Sequence, residues 1–179
     1  MNTRRIALIG LMTAVICVLG PISFPLPISP VPISLGVLGV LLASYLLGMK
    51  WGLVSCLVYL LIGLAGLPVF TGFSGGPGKL LGPTGGYLIG YIFLSVSTGF
   101  FVGKWPAKWP MHLLGMVLGE TVMYLFGTLW LGYLMRLSFV KALWMGVIPY
   151  IPADLIKIAI TLTLGGLVRR RLMKAGFSD

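Results

Sequence analysis

The chain has 179 residues, 58% of them hydrophobic and only 9% charged. Soluble globular domains carry about 25% charged residues, so an ordinary soluble fold is excluded. Its net charge of +10 comes from 13 Lys and Arg against 3 Asp and Glu; these cations fall between apolar stretches rather than on one face, which reads as membrane topology and not as a nucleic-acid surface.

In chain order, the first apolar stretch covers residues 6–19 behind Arg4 and Arg5. It imitates a signal peptide, but five more apolar stretches follow, so it reads as the first membrane helix. Cys17 and Cys56 lie inside apolar runs. Thr13-Ala14-Val15-Ile16 lacks the small-residue pattern of a lipoprotein cleavage site, and neither a disulfide nor a metal spacing is expected. Pro21, Pro25, Pro27, Pro30 and Pro32 then crowd one apolar segment. Each removes an amide donor and clashes with the preceding turn, so an irregular segment near the membrane surface is expected there. A second helix over 34–49 and a third over 52–67 meet at Lys50-Trp51. A glycine-rich connection over 68–83 leads to a fourth helix over 84–102. The basic turn Lys104-Trp105-Pro106-Ala107-Lys108-Trp109-Pro110 suits a membrane interface. A fifth helix covers 111–135, and 142–148 suggests a short interfacial helix. The sixth helix begins near Pro152, where proline suits a first turn, and ends in Arg169-Arg170-Arg171.

A bilayer-spanning helix takes about 20 residues, so six occupy roughly 120 positions. The fold class expected is an all-α membrane protein, one integral domain over residues 1–179 with no appended catalytic or nucleotide-binding domain. Six crossings put both termini on one side. Nine cations (Arg4, Arg5, Lys50, Lys104, Lys108, Arg169, Arg170, Arg171 and Lys174) share that side, against Lys79, Arg136 and Lys141 on the other. The asymmetry predicts cytoplasmic termini. It sends the proline-rich, glycine-rich and pre-sixth-helix connections outward, and irregular backbone at a bilayer usually lines an enclosed cavity. A binding mouth facing outward follows.

Asp154 and Lys157 stand three apart, on one face of the sixth helix near its external end. Ionisable residues are costly in a bilayer, so the two form a structural ion pair, a pair of ligand contacts, or both in turn. Glu120, in the middle of the fifth helix, is either protonated and hydrogen-bonded or close to Lys157.

Residues 72–87 admit three readings. A nucleotide-binding P-loop fails, because Phe73 stands where the first glycine belongs and Leu80 replaces the magnesium-holding hydroxyl. Gly72-Phe73-Ser74-Gly75 matches the GxSG pattern of intramembrane serine proteases, but such an enzyme needs a histidine beside the serine. His112 falls at the opposite membrane face. The third reading is a ligand-covering loop: glycines let backbone approach a small molecule, with Phe70, Phe73 and Tyr87 as apolar walls. Of the pair Tyr87 and Tyr91, Tyr87 lies nearer the outside and is the better candidate. Small-residue pairs Gly10/Ala14, Gly86/Gly90, Gly99/Gly103 and Gly115/Gly119 allow close helix approach; Gly10/Ala14 is also a candidate surface for a partner membrane protein.

Four segments carry a family resemblance: Val31-Pro32-Ile33-Ser34-Leu35-Gly36; Gly66-Leu67-Pro68-Val69-Phe70; Leu81-Gly82-Pro83-Thr84-Gly85-Gly86-Tyr87-Leu88-Ile89-Gly90-Tyr91; and Pro149-Tyr150-Ile151-Pro152-Ala153-Asp154-Leu155-Ile156-Lys157. In order and spacing they resemble BioY, the biotin-specific substrate-binding (S) component of energy-coupling factor (ECF) transporters. The resemblance implies a six-helix S-component fold in a prokaryotic cell membrane, with a biotin cavity near the external face. It implies partners: a transmembrane coupling protein and two ATP-binding subunits, within membrane lipid and without nucleic acid. It implies no cofactor, biotin being the transported ligand. The family's aspartate and lysine of the last helix match Asp154 and Lys157, beneath a glycine-rich loop. Tyr87, Gly82, Phe73, Phe70 and Tyr150 complete the candidate substrate-binding set, and no catalytic role is expected. Biotin's ureido ring offers two N–H donors and a carbonyl, which a carboxylate and an ammonium can meet. The rivals are the protease and an S component for another vitamin.

Overall fold

The computed structural model describes residues 3–174. Seven helices and one two-stranded hairpin make up this part of the chain: α1 Thr3–Leu19, β1 Ser23–Leu26, β2 Ser29–Ser34, α2 Gly36–Leu64, α3 Pro77–Leu81, α4 Gly85–Lys104, α5 Trp109–Met135, α6 Phe139–Gly146 and α7 Ile151–Lys174. Four of these, α2, α4, α5 and α7, are long and apolar enough to cross a membrane. Large apolar side chains such as Leu11, Leu61, Leu125, Leu129 and Ile156 stand exposed around the bundle, as expected where the surrounding solvent is lipid.

The proline-rich segment is not irregular. It pairs as an antiparallel hairpin, Ser23 opposite Ser34 and Phe24 opposite Ile33, with the register broken between Phe24 and Leu26. The break falls at Pro25, which has no amide to give. Leu35 N donates to Ile22 O at 3.0 Å. The alternation of bonded pairs then leaves Pro32 at a position whose missing N–H faces away from β1, where a strand tolerates proline.

α2 merges the two expected helices into one run, yet that run is not straight. Gly48 has φ 74° and ψ −175°, outside helical space. A Cβ built on Gly52 would lie 2.5 Å from Ser44 Cα, whereas eight residues of straight helix span about 12 Å. The chain therefore doubles back at Gly48, two residues before the expected Lys50-Trp51 turn, because that backbone conformation is open to glycine alone. α1 packs on both limbs. Ile16 meets Gly39 on the first, while Thr13 Oγ1 donates to Ser55 O and Ser55 Oγ to Ile9 O, both at 3.3 Å, on the second.

Small residues set the other close approaches. Gly86 faces Trp130 and Gly127, Gly90 faces Met123, Gly115 faces Phe101 and Gly119 faces Leu94, which seals α4 against α5. Gly99 packs on Gly48 and Met49, holding α4 to the α2 turn. Gly103 and Gly10 touch nothing comparable, and Ala14 is exposed like Gly10.

α7 contains a π-helical turn, Thr161–Gly165. Beyond it Arg169 is buried, donating to Tyr45 O at 2.8 Å. Arg169 shares a groove with His112 and Trp109 at one end of the bundle, and Arg5, Lys50 and Lys104 line another beside the α2 turn. The hairpin, α3 and the start of α7 sit at the opposite end.

Candidate functional site

Two tight helix starts and the hairpin converge at that opposite end. Thr84 precedes α4, Tyr150 precedes α7 with Pro152 in the first turn, and β2 runs across them. They enclose a cavity of about 40 Å³. Its wall includes Val31, Pro32 and Ser34 from the hairpin, Thr71 and Thr84 from the glycine-rich connection, Tyr87 and Tyr91 from α4, Met123 and Tyr124 from α5, and Tyr150, Asp154 and Lys157.

The polar centre of this wall is one ion pair. Lys157 Nζ lies 2.6 Å from Asp154 Oδ1, and both residues are at least 96% buried. Tyr124 donates its hydroxyl to the other carboxylate oxygen, Oδ2. Both Asp154 oxygens are thus engaged, as a buried charge requires. Thr84 Oγ1 is buried and, among the described residues, finds no partner.

Two tyrosines brace the elements around the cavity. The Tyr87 hydroxyl donates to Gly146 O at 2.8 Å, joining α4 to the end of α6. The Tyr150 hydroxyl hydrogen-bonds Ser29 Oγ at 2.7 Å and the Val31 carbonyl, which fastens the hairpin to the start of α7. Lys79 in α3 is partly buried, and loss of hydration pulls its ammonium below the usual lysine pKa.

Of the seven candidate residues, Asp154, Lys157, Tyr87 and Tyr150 come together in the wall. Phe70, Phe73 and Gly82 lie outside it. Phe70 is fully buried, edge-on to Tyr59 with ring centres 5.5 Å apart, and its ring fills the space that a side chain on Gly63 would need. Phe73 has φ 54° and is 72% exposed. Gly82 accepts from Trp130 Nε1 at 2.9 Å, a brace rather than a wall. Tyr124 is the participant that sequence reading missed. Its only signal was position: it stands one turn after Glu120, on the same face of α5. Tyr91, ranked behind Tyr87, also reaches the cavity.

The protease reading has no geometry behind it. Ser74 Oγ donates to Thr71 O at 2.8 Å, within the loop. His112 sits at the far end of the bundle, its Nδ1 3.1 Å from the Tyr45 hydroxyl and its Nε2 2.9 Å from Trp105 O.

Glu120 lies beside this site but faces another space. It lines a lateral chamber of about 440 Å³, open along its outer side, between α5, α6 and α7, lined otherwise mostly by apolar groups such as Leu125, Phe139, Leu143 and Leu155. Glu120 is 6% exposed, and its Oε1 has no hydrogen-bond partner among the described residues; Thr128 Oγ1, two turns on, has none either. Glu120 is within electrostatic range of both Asp154 and Lys157.

Known proteins resemble this chain in sequence and in fold. The chain is 39% identical over 159 residues to a protein of Pyrococcus horikoshii named probable biotin transporter BioY, covering 89% of this chain and 92% of that one. It is 37% identical over 171 residues to the biotin transporter BioY of Thermotoga maritima, covering 96% of each. A crystal structure at 2.1 Å of the S-component for biotin from an ECF-type ABC transporter superposes with a TM-score of 0.88, at 32% identity and over 95% of both chains. The model of the BioY family matches residues 1–174. On a match of that extent, this chain belongs to the BioY family.

Proposed function

We propose that the chain is the biotin-capturing membrane subunit of an ECF transporter. It takes biotin from the external side of a prokaryotic plasma membrane and passes it across with an ATP-driven module, a transmembrane coupling protein with two ATPases. The observation that carries this reading is the buried Asp154–Lys157 pair in the wall of a covered cavity, in a chain whose relatives are named biotin transporters.

The chemistry fits. The ureido N–H groups of biotin are donors that Asp154 can accept, and the Lys157 ammonium can meet an oxygen of the ligand. Thr84 Oγ1 adds an unused hydroxyl, and Tyr87, Tyr91 and Tyr150 supply flat apolar surface. Small-molecule sites usually measure about 300–1,000 Å³, so a cavity of about 40 Å³ has to widen for biotin. The hairpin and the glycine-rich connection supply most of its wall outside the long helices, and they are the cover in this reading.

Six crossings follow if α1, the two limbs of α2, α4, α5 and α7 each traverse the bilayer. The cluster of Arg5, Lys50, Lys104 and Arg169 away from the cavity supports a cytoplasmic position for that end and for both termini. The exposed Gly10 and Ala14 of α1 support docking of the coupling protein there, since small residues admit a second helix closely.

Thermal unfolding of the purified, biotin-free protein tests the assignment. A ligand bound only by the native state stabilises it, by about 2.7 kcal/mol at a hundredfold excess over Kd. Biotin should raise the melting temperature while other vitamins do not. A flat response at saturating biotin overturns the reading, and a response to another vitamin alone moves the chain to a different substrate.

A further inference from the structure

Two spaces meet at one side chain. Tyr124 is the residue common to the wall of the small covered cavity and the wall of the lateral chamber. Tyr124 thus borders about 40 Å³ in the one and about 440 Å³ in the other. We propose that Tyr124 is a substrate-displaced partition: the ligand takes Asp154 Oδ2, and the evicted hydroxyl moves into the lateral chamber to bond Glu120. This inference rests on the biotin-binding reading above and adds a specificity-determining residue to it.

The geometry supports each part. Asp154 has one oxygen on Lys157 and the other on Tyr124. A donor arriving from the cavity displaces the neutral phenol more readily than the ammonium, because the Lys157 contact is an ion pair as well as a hydrogen bond, and stripping it would strand a buried cation. Tyr124 is half-buried among apolar groups, and its freed hydroxyl gains by finding a new partner. Glu120 and Thr128 stand one turn to either side of Tyr124 on α5; Glu120 Oε1 is buried with no partner among the described residues, whereas Thr128 lies beside the Tyr87 hydroxyl. Helical side chains lean toward the helix N-terminus, which favours Glu120. Glu120 is a buried residue of the chamber wall whose Oε1 has no partner among the described residues, so the move gives an unsatisfied group its hydrogen bond. The ring vacates the cavity that has to grow and enters a chamber with room for it. A ligand without a donor for Asp154 cannot trigger the exchange, so the device selects for the ureido edge.

The test is a double-mutant cycle on biotin affinity, joined to fluorine NMR of 3-fluorotyrosine placed at position 124. Glu120→Leu should weaken biotin binding about tenfold or more, the scale of one hydrogen bond to a charged group, and should do nothing further in a Tyr124→Phe background. The biotin-free Glu120→Leu protein should remain folded, since the change removes an unpartnered polar group; Glu120→Gln, which keeps an acceptor, should lose less affinity. Saturating biotin should shift the fluorine resonance in the otherwise unchanged protein, and in Glu120→Leu should bring it to a different position, because the evicted hydroxyl there has no carboxyl to meet. Equal losses from Glu120→Leu in both backgrounds, or a resonance that ignores bound biotin, overturn the partition while leaving biotin binding intact. Absence of biotin binding by the unsubstituted protein instead overturns the underlying assignment.

Discussion

Lys157 Nζ lies 2.6 Å from Asp154 Oδ1, one turn along α7, with both side chains closed off from the exterior. A charge pair this deep gives little net stability, but removing one member strands the other, at about 3–5 kcal/mol. Lys157→Ala alone should therefore lower the melting temperature as well as abolish biotin binding. The paired change Asp154→Asn with Lys157→Met should recover most of the melting temperature and none of the binding. Thermal unfolding beside isothermal titration with biotin separates the two effects; binding retained by the double variant would remove the pair from the site.

The reversal inside α2 depends on Gly48. Its φ of 74° with ψ of −175° lies in space that is essentially glycine-only, where another residue costs about 1–3 kcal/mol. Gly48→Ala should destabilise the protein by that amount in detergent, with a further penalty from Gly99, which packs on Gly48. Gly103→Ala, on the same helix as Gly99 but with open space around it, is the control and should change the melting temperature little.

Phe73 and Tyr150 are both aromatic candidates from the connections, yet they occupy opposite situations. Phe73 is exposed, while Tyr150 ties the hairpin to α7 through Ser29 and Val31. Tyr150→Phe should speed biotin release several-fold, because it loosens the cover by about one hydrogen bond, or ~1 kcal/mol. Phe73→Ala should leave the release rate within about twofold, as exposed substitutions generally do. Stopped-flow displacement of labelled biotin reads both.

The exposed face of α1 should matter for assembly and not for capture. Gly10→Leu adds bulk where Gly10 has no neighbour within 4 Å, so biotin affinity should be unchanged. Co-purification with the coupling protein should fall sharply, because a helix cannot approach closely past a leucine. Normal assembly of Gly10→Leu would place the partner on another face.

The helices were legible because membrane solvent demands long apolar runs, and α4 and α5 fall within about two residues of the expected limits. The hairpin was hidden by its prolines. Residues that forbid a helix say nothing about whether the remaining amides, such as those of Ile33 and Leu35, find a partner strand. The α2 turn was expected at Lys50-Trp51, where the polarity changes, but backbone freedom at Gly48 decided it. In the site, Asp154 and Lys157 stood out because charge is rare in a bilayer. Tyr124 did not, because a tyrosine in an apolar helix looks like packing until its hydroxyl is seen on Asp154. Phe70 and Phe73 are both expected from the sequence as apolar walls of the ligand-covering loop, although one fills the core and the other faces outward. Only the fold of the loop could part them.

The π turn in α7 has a rotational consequence. From Lys157 to Arg169 is twelve residues, which in an ordinary α-helix turns about 120° away from the starting face. The one extra residue absorbed between Thr161 and Gly165 takes up about 100° of that, and a single-residue π insertion commonly does so at a functional position. Both cations consequently look toward the bundle axis, one at each end of a single rod. Rewinding that turn as ordinary α-helix, with no residue removed, would swing the Arg169 guanidinium away from the Tyr45 carbonyl and toward hydrocarbon, so the helix is phased to present inward charge at both of its ends.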